Sequence, residues 1–334
     1  MNPTDFLTDN GHAILLLCSA LGLPKTQPPG APAPFTLAEW NQLARRIEAS
    51  PLQQPAGLFG RSPADLAEAL GIPPADAERI AGLLERSSFA SLEVESLFSR
   101  GIWAITRMDA NYPAQLRTRL KHQAPTVLFG AGEITLLDQA GVAVVGSRQI
   151  DPAGIAFAEA LGRKCAAAKV PVVSGAARGA DRLAMTAALE AGGKAFGVLA
   201  DSLESTLRNP DLRRRLLDGE LVLLTPYLPT AGFSIGGAMG RNKIIYGLAD
   251  FALVVSSDLE KGGTWAGAVE ALKAGWCPVF ARADPGVPPG NLELVKKGAV
   301  AIEQKGLDNA ADLLSWLREH ATARLEQPDL LPDL

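Results

Sequence analysis

The chain has 334 residues, of which 47% are hydrophobic and 20% charged, and a formal net charge of −4. That length accommodates a large domain plus a smaller one, and the apolar fraction excludes an intrinsically disordered chain. The acidic balance excludes a generally basic nucleic-acid coat while leaving room for a local cationic patch.

The first apolar run, "HAILLLCSALGL" at 12–23, follows acidic residues and is too short to cross a bilayer. It reads as a core helix, so neither a secretion signal nor a membrane anchor is expected. "KTQPPGAPAP" at 25–34 cannot be helical and reads as a loop. Three short helices should follow. "TLAEWNQLARRIEAS" opens with Thr36 and Glu39 at capping-box spacing. "SPADLAEALG" carries Ser62 as cap, Pro63 at the first helical position and Gly71 as stop. "PPADAERIAGLLERS" places Ile80, Leu83 and Leu84 on one face. Residues 1–98 therefore read as a small all-helical module without a basic stripe, a structural cap or partner platform. Residues 99–135, with "GIWAIT" and "TVLFGAG", read as a connector carrying edge strands. The three cysteines, Cys18, Cys165 and Cys277, and the three histidines, His12, His122 and His320, are scattered without CxxC or CxH spacing. The thiols read as reduced and buried in a cytosolic protein, and no metal site is expected.

From Val142 onward the pattern is strand, glycine-rich turn, helix, repeated. Strands are predicted at 142–145, 170–173, 195–199, 221–224, 251–255, 278–281 and 299–302, all continuous apolar runs suited to parallel strands covered on both faces. Helices are predicted at 152–168, 180–191, 241–248, 264–274, 289–297 and 309–319. The alternation predicts an α/β fold with a doubly wound, mostly parallel sheet.

In such a sheet the ligand sits beyond the carboxyl ends of the strands. Gly146, Ser147 and Arg148 follow the first predicted strand. "SGAARGAD" follows the second and supplies Ser174, Gly175, Arg178, Gly179 and Asp181. "GRNKII" places Arg241, Asn242 and Lys243 at a predicted helix start, and "KGGTW" places Gly263 and Thr264 after the fifth strand. Glycines admit close backbone approach, helix N-termini add partial positive charge, and arginines supply forked donors. Converging, they predict a phosphate-binding pocket. No GxGxxG follows the first strand and no GxxxxGK[ST] occurs, so neither a dinucleotide fingerprint nor a P-loop is present. No nucleophile has a base nearby in sequence. The site reads as built to bind rather than to cut, with no catalytic residue, no cofactor and no metal.

These segments, "VAVVGSR", "VVSGAARGADRLAMTAALEAGGKAFGVLADSLE" and "GRNKIIYGLADFALVVSSDLEKGGTWAGAVEALKAG", together with "GIWAITRMDANYPAQL" and "GNLELVKKGAVAI", resemble the DNA-processing protein A family (DprA, also called Smf) over roughly residues 100–305. The resemblance implies an extended Rossmann-like domain over 99–325, a small N-terminal helical domain, and a short tail at 326–334 in place of a C-terminal winged helix. It implies a cytoplasmic homodimer that binds single-stranded DNA and hands it to a RecA-type recombinase during natural transformation, with no known enzymatic activity. The phosphate-binding positions it implies are the thirteen named above, from Gly146 to Thr264. For a dimer contact, apolar residues of a late helix such as Leu313, Leu314 and Trp316 are candidates, and an intramolecular core accounts for them equally well.

Two stretches depart from the family. Ala238 and Gly240 stand where an aromatic and a basic residue are usual before Arg241, with Phe233 a nearby substitute. Trp265 and Glu270 replace apolar residues. Trp265 reads as core or as a base-stacking platform. "KGGTW" with Glu270 is also similar to the Gly-Gly…Thr loop of nucleotide phosphoribohydrolases, which keeps open a nucleotide-binding sensor or hydrolase with Glu270 as its carboxylate. A defence-associated homologue with another protein partner is a further alternative.

Overall fold

The computed structural model describes residues 7–24, 28, 30–139 and 141–326. Lys25, Thr26, Gln27 and Pro29 of the expected loop lie outside the described residues, as does the expected tail from 327 onward. The remainder of that loop is irregular, as expected.

Five helices come first: α1 (Asp9–Cys18), α2 (Leu37–Ala49), α3 (Pro63–Leu70), α4 (Pro74–Leu84) and α5 (Ser87–Ser99). Their boundaries are set by local chemistry. Thr36 and Glu39 form the reciprocal capping box at the start of α2. Ser62 and Pro63 open α3, and Gly71 closes it in the left-handed conformation. Ile80, Leu83 and Leu84 are buried together on α4. Asp109 fastens this region to the sheet. Its carboxylate accepts hydrogen bonds from the Thr8 amide (2.9 Å) and hydroxyl (2.7 Å) and from the Thr106 amide and hydroxyl (both 2.7 Å).

A nine-stranded sheet follows: β1 (Ile102–Thr106), β2 (Val127–Ala131), β3 (Val142–Gly146), β4 (Val172–Ser174), β5 (Ala195–Val198), β6 (Leu221–Thr225), β7 (Phe251–Ser256), β8 (Val279–Arg282) and β9 (Val300–Ile302). The order is β1-β2-β6-β5-β4-β3-β7-β8-β9. β1 pairs with β2 and β2 with β6 antiparallel; all other pairings are parallel. All seven predicted strands are present, within one or two residues of their expected ends, and so are the two edge strands. Because β4, β5 and β6 lie on one side of β3 and β7, β8 and β9 on the other, the chain reverses direction at the β3–β7 pair. That reversal opens a crevice at the carboxyl ends of these two strands.

The remaining helices are α6 (Ala114–Leu120), α7 (Pro152–Ala167), α8 (Ala180–Glu190), α9 (Leu203–Thr206), α10 (Pro210–Leu217), α11 (Ile235–Leu248), α12 (Gly262–Ala274), α13 (Pro289–Lys296), α14 (Gln304–Asn309) and α15 (Leu313–Glu326). Both sheet faces are covered. Val142, Val144 and Val172 share a core with α7, α8 and the N-terminal helices, including Leu15, Trp40 and Leu83. Ala143, Val145 and Val254 face α6, α11 and α12 through Leu116, Ile245 and Ala268.

Two helix boundaries differ from the sequence reading. The segment before Arg241 is already helical: α11 begins at Ile235, six residues earlier than predicted. Its glycines suggest a turn, but the Ser234 hydroxyl caps the Gly237 amide at 2.9 Å and the Tyr227 hydroxyl donates to the Gly237 carbonyl at 2.8 Å. The last predicted helix, 309–319, is two elements, α14 and α15. Asp312 divides them by accepting from the Leu314 amide (3.0 Å) and the Ser315 hydroxyl (2.9 Å).

Candidate functional site

Two clefts of about 800 Å³ each lie at the carboxyl edge of the parallel strands. The first runs past the ends of β4, β5 and β6 and is lined by Arg148, Gly175, Arg178, Arg182, Asp201 and Arg241, among others. The second is the β3–β7 crevice, lined by Gly146, Ser147, Arg148, Asp181, Arg241, Asn242 and the start of α12. Arg148, Ala177, Phe233 and Arg241 border both. The Arg148 guanidinium lies over the Phe233 ring, 5.4 Å from its centroid, and forms a ridge between the clefts.

The turn after β3 is fixed by β7: the Ser147 amide donates to the Ser256 carbonyl at 2.9 Å and the Ser147 hydroxyl to the same oxygen at 3.2 Å. This leaves Arg148 exposed at the tip. In the turn after β4, the Ser174 hydroxyl is consumed by the Val144 carbonyl at 2.5 Å, and Ser174 is wholly buried. Gly175 is glycine because the Arg241 side chain occupies the space a Cβ would need. Gly179 has φ +86° and packs on the Ser147 and Arg148 carbonyls, which excludes any side chain. It also starts α8 without a side-chain cap. Ala176, in the same loop, is held at φ +52°, an uncommon conformation for a residue with a side chain.

Asp181 is the electrostatic keystone. It is buried, accepts from the Gly175 amide at 3.1 Å and faces Arg241. Burial pushes its carboxyl up to about 6; Arg241 and the hydrogen bond from the Gly175 amide are the main effects opposing the rise. Arg241 is also buried. Its Nη1 donates to the Val198 carbonyl at 2.6 Å, while its Nε has no partner among the described residues. Burial lowers its pKa, against the raising effects of Asp181, Asp201 and Tyr227. The Asn242 amide braces the start of α12 by donating to the Gly263 carbonyl at 3.0 Å. No side chain caps α12, so the amides of its first turn, at Gly262, Gly263 and Thr264, lack a side-chain acceptor.

Twelve of the thirteen sequence-predicted residues are thus brought to one edge of the sheet, in unequal roles. Arg148 and Arg178 are exposed and available to a ligand. Gly146, Ser174, Gly175, Gly179, Asp181, Arg241 and Asn242 shape the turns or neutralise one another. Arg178 makes no salt bridge with Asp181, which lies buried beneath the loop. The exception is Lys243. It lies inside α11 rather than at a helix start, about 200° around the helix from Arg241. It lines a separate cleft of about 510 Å³ with Cys18, Leu37 and Tyr227. The sequence reading missed Arg182, which is exposed in the first cleft; its place one residue after Asp181 in "RGADR" was the available signal. Trp265 is partly buried against the core and also lines the second cleft. Glu270 is exposed on α12 and lines neither cleft, where a catalytic carboxylate would have to sit.

A doubly wound, mostly parallel sheet with a crevice at its switch point defines a Rossmann-like protein. Residues 103–313 match the model of the DNA recombination-mediator protein A family, and the chain belongs to that family. It is 32% identical over 228 residues to Protein Smf of Escherichia coli, covering 65% of this chain and 59% of that protein. It is 30% identical over 210 residues to DNA processing protein DprA of Bacillus subtilis, covering 61% of this chain and 69% of that one. Among solved structures, DprA of Streptococcus pneumoniae superposes with a TM-score of 0.66 at 24% identity, over 92% of this chain and 99% of that one. The fold is also shared with DNA processing protein A of Helicobacter pylori, at a TM-score of 0.51 and 22% identity, over 67% and 96% of the two chains.

Proposed function

We propose that the protein binds single-stranded DNA along the carboxyl edge of its sheet and acts as a recombination mediator, delivering the strand to a RecA-type recombinase as a cytoplasmic homodimer. The first cleft carries the reading. It presents four arginines against one carboxylate, and three of them, Arg148, Arg178 and Arg182, are exposed. That local cationic surface on an acidic protein is suited to a phosphodiester backbone. Family membership supports the mediator role, and the Helicobacter pylori relative is described as having a single-stranded DNA binding mode. The helical module at 1–98 serves as a buttress through Asp109. No helix among the described residues is long and apolar enough to cross a membrane. The protein is a binder rather than an enzyme in this reading.

The test is a titration of labelled single- and double-stranded oligonucleotides at two salt concentrations. Single strands should bind more tightly, and affinity should fall steeply with salt. Arg148→Ala, Arg178→Ala and Arg182→Ala should each weaken binding about 3- to 30-fold and reduce the salt slope by about 0.7. Equal affinity for both forms, or an Arg148→Ala protein with undiminished affinity at low salt, would overturn the reading.

A further inference from the structure

Arg282 ends β8, where the residues before it are apolar. Phe280 and Ala281 are wholly buried, and the Arg282 side chain is only 1% exposed. Its Nη2 donates to both oxygens of Asp151, at 3.0 and 3.1 Å, and its Nε lies 3.8 Å from the Asp284 carboxylate. Nε and Nη1 have no hydrogen-bond partner among the described residues. Open donors on a buried guanidinium cost stability, and an apolar side chain of similar size would avoid that cost. The gain from Arg282 therefore lies in what it holds.

It holds the far end of the turn that carries Arg148. The near end is fixed at Ser147, whose amide and hydroxyl both donate to the Ser256 carbonyl of β7. Arg148 and Gln149 follow, exposed, then Ile150, partly buried against the core, then Asp151. Asp151 caps α7 by accepting from the Gly154 amide at 3.0 Å, a bond that travels with the helix. Its bonds to Arg282 reach across to the sheet instead. The two anchors belong to one frame. β7 and β8 pair in parallel, and buried Asn291 accepts from the Ser257 amide at 2.7 Å and donates to the Arg282 carbonyl at 2.9 Å. Gly154 leaves room for the pair: a Cβ there would lie 2.6 Å from Arg282 Nη1 and 2.7 Å from Asp151 Oδ1.

We infer that Arg282 is a positioning residue for strand binding: through Asp151 it fixes the turn between β3 and α7, so that Arg148 meets a phosphate already ordered. A long side chain on a turn tied at both ends has less freedom to lose on binding, and the saving appears as affinity. Arg282 lines neither cleft and acts only through its partner. This inference rests on the proposed single-strand binding and deepens it.

The test is a double-mutant cycle on oligothymidylate affinity at low salt. Arg282→Met should weaken binding about 3- to 10-fold, the range for one long side chain left to be ordered on binding. In an Arg148→Ala background the same change should cost less than about twofold, whereas in an Arg182→Ala background it should keep its full effect. The melting temperature of Arg282→Met should stay near wild type, because two open donors leave with the guanidinium. Arg282→Lys, which keeps the charge and a donor for Asp151, should recover most of the affinity. Gly154→Ala wedges the pair apart with no change of charge and should lose affinity in the same Arg148-dependent way. It keeps the test open if Arg282→Met fails to fold. Undiminished affinity in both variants, while Arg148→Ala binds weakly, overturns the positioning role and leaves the proposed function intact. A full-sized loss in the Arg148→Ala background also overturns it, because Arg282 then acts as a distant charge or through the fold at large. Failure of the wild type to bind the strand overturns the proposed function itself.

Discussion

Arg86 in the helical N-terminal region and Arg241 at the sheet edge are buried to almost the same degree, 8% and 6% exposed. Their surroundings differ. The Arg86 guanidinium is saturated: Nε donates to the Leu83 carbonyl at 3.1 Å, Nη2 to Ser19 at 2.7 Å, and short bonds reach the Leu16 and Leu21 carbonyls. Among the described residues it has no carboxylate partner, and burial pushes its pKa down to about 10. Arg241 has one carbonyl, a buried carboxylate that faces it, and an open Nε. Among the described residues, every unsatisfied buried side-chain atom belongs to Gln115, Arg241, Tyr246 or Arg282, all in the sheet region. A buried arginine with all its donors used is a structural tie. One with a donor left open, beside a cleft, fits the proposed binding site, where a ligand would supply the missing acceptor.

The largest effect expected of this contrast is on stability. Arg86→Met keeps an unbranched stem without the guanidinium, strands four carbonyls, and should cost about 3–5 kcal/mol of unfolding free energy. Chemical denaturation would measure it, with oligonucleotide affinity of the folded protein unchanged. A loss below about 1 kcal/mol would show that those carbonyls find water and would break the comparison.

The next effect is on pH dependence. Asp181 titrates at about 6 in the folded protein against 3.8 for an unperturbed carboxyl. Its folded-state pKa is raised, so the native state binds the extra proton between these values. The stabilisation is complete below about pH 4 and is lost as pH rises through about 6. Relative to Asp181→Asn, the wild type should lose on the order of 2–3 kcal/mol between pH 4 and pH 7. Protonation also leaves Arg241 and Arg148 less compensated, with Asp201, Tyr227 and Tyr246 the other titratable groups around the pair. Oligonucleotide affinity should therefore rise about 3- to 10-fold from pH 7.5 to 5.5 in the wild type, and much less in the variant. Parallel pH profiles for the two proteins would show that Asp181 does not govern the site.

The smallest effect sharpens the contrast by its absence. Lys243→Ala should change oligonucleotide affinity less than about twofold, because the ammonium lines a different cleft from Arg241. A loss comparable with that of Arg148→Ala would place the strand across both faces of α11.

Local signals carried much of this molecule. Ser62, Pro63 and Gly71 bound α3 by chemistry that needs no tertiary partner, and continuous apolar runs such as "VAVV" could only be covered parallel strands. The position of Arg148 at a strand end followed from the same pattern. The run before Arg241 was illegible because its glycines signal a turn, whereas the Ser234 cap and the Tyr227 hydroxyl, reaching in from the segment after β6, hold it helical. What the sequence alone determined was which residue types cluster at the strand ends. Only the tertiary structure decided which remain available. Burial turned Ser174, Asp181 and Arg241 inward, and helix phase sent Lys243 elsewhere. Exposure left Arg148, Arg178 and Arg182 facing outward. Charge type is written in the chain, but solvation and direction are set by the neighbours that folding brings together.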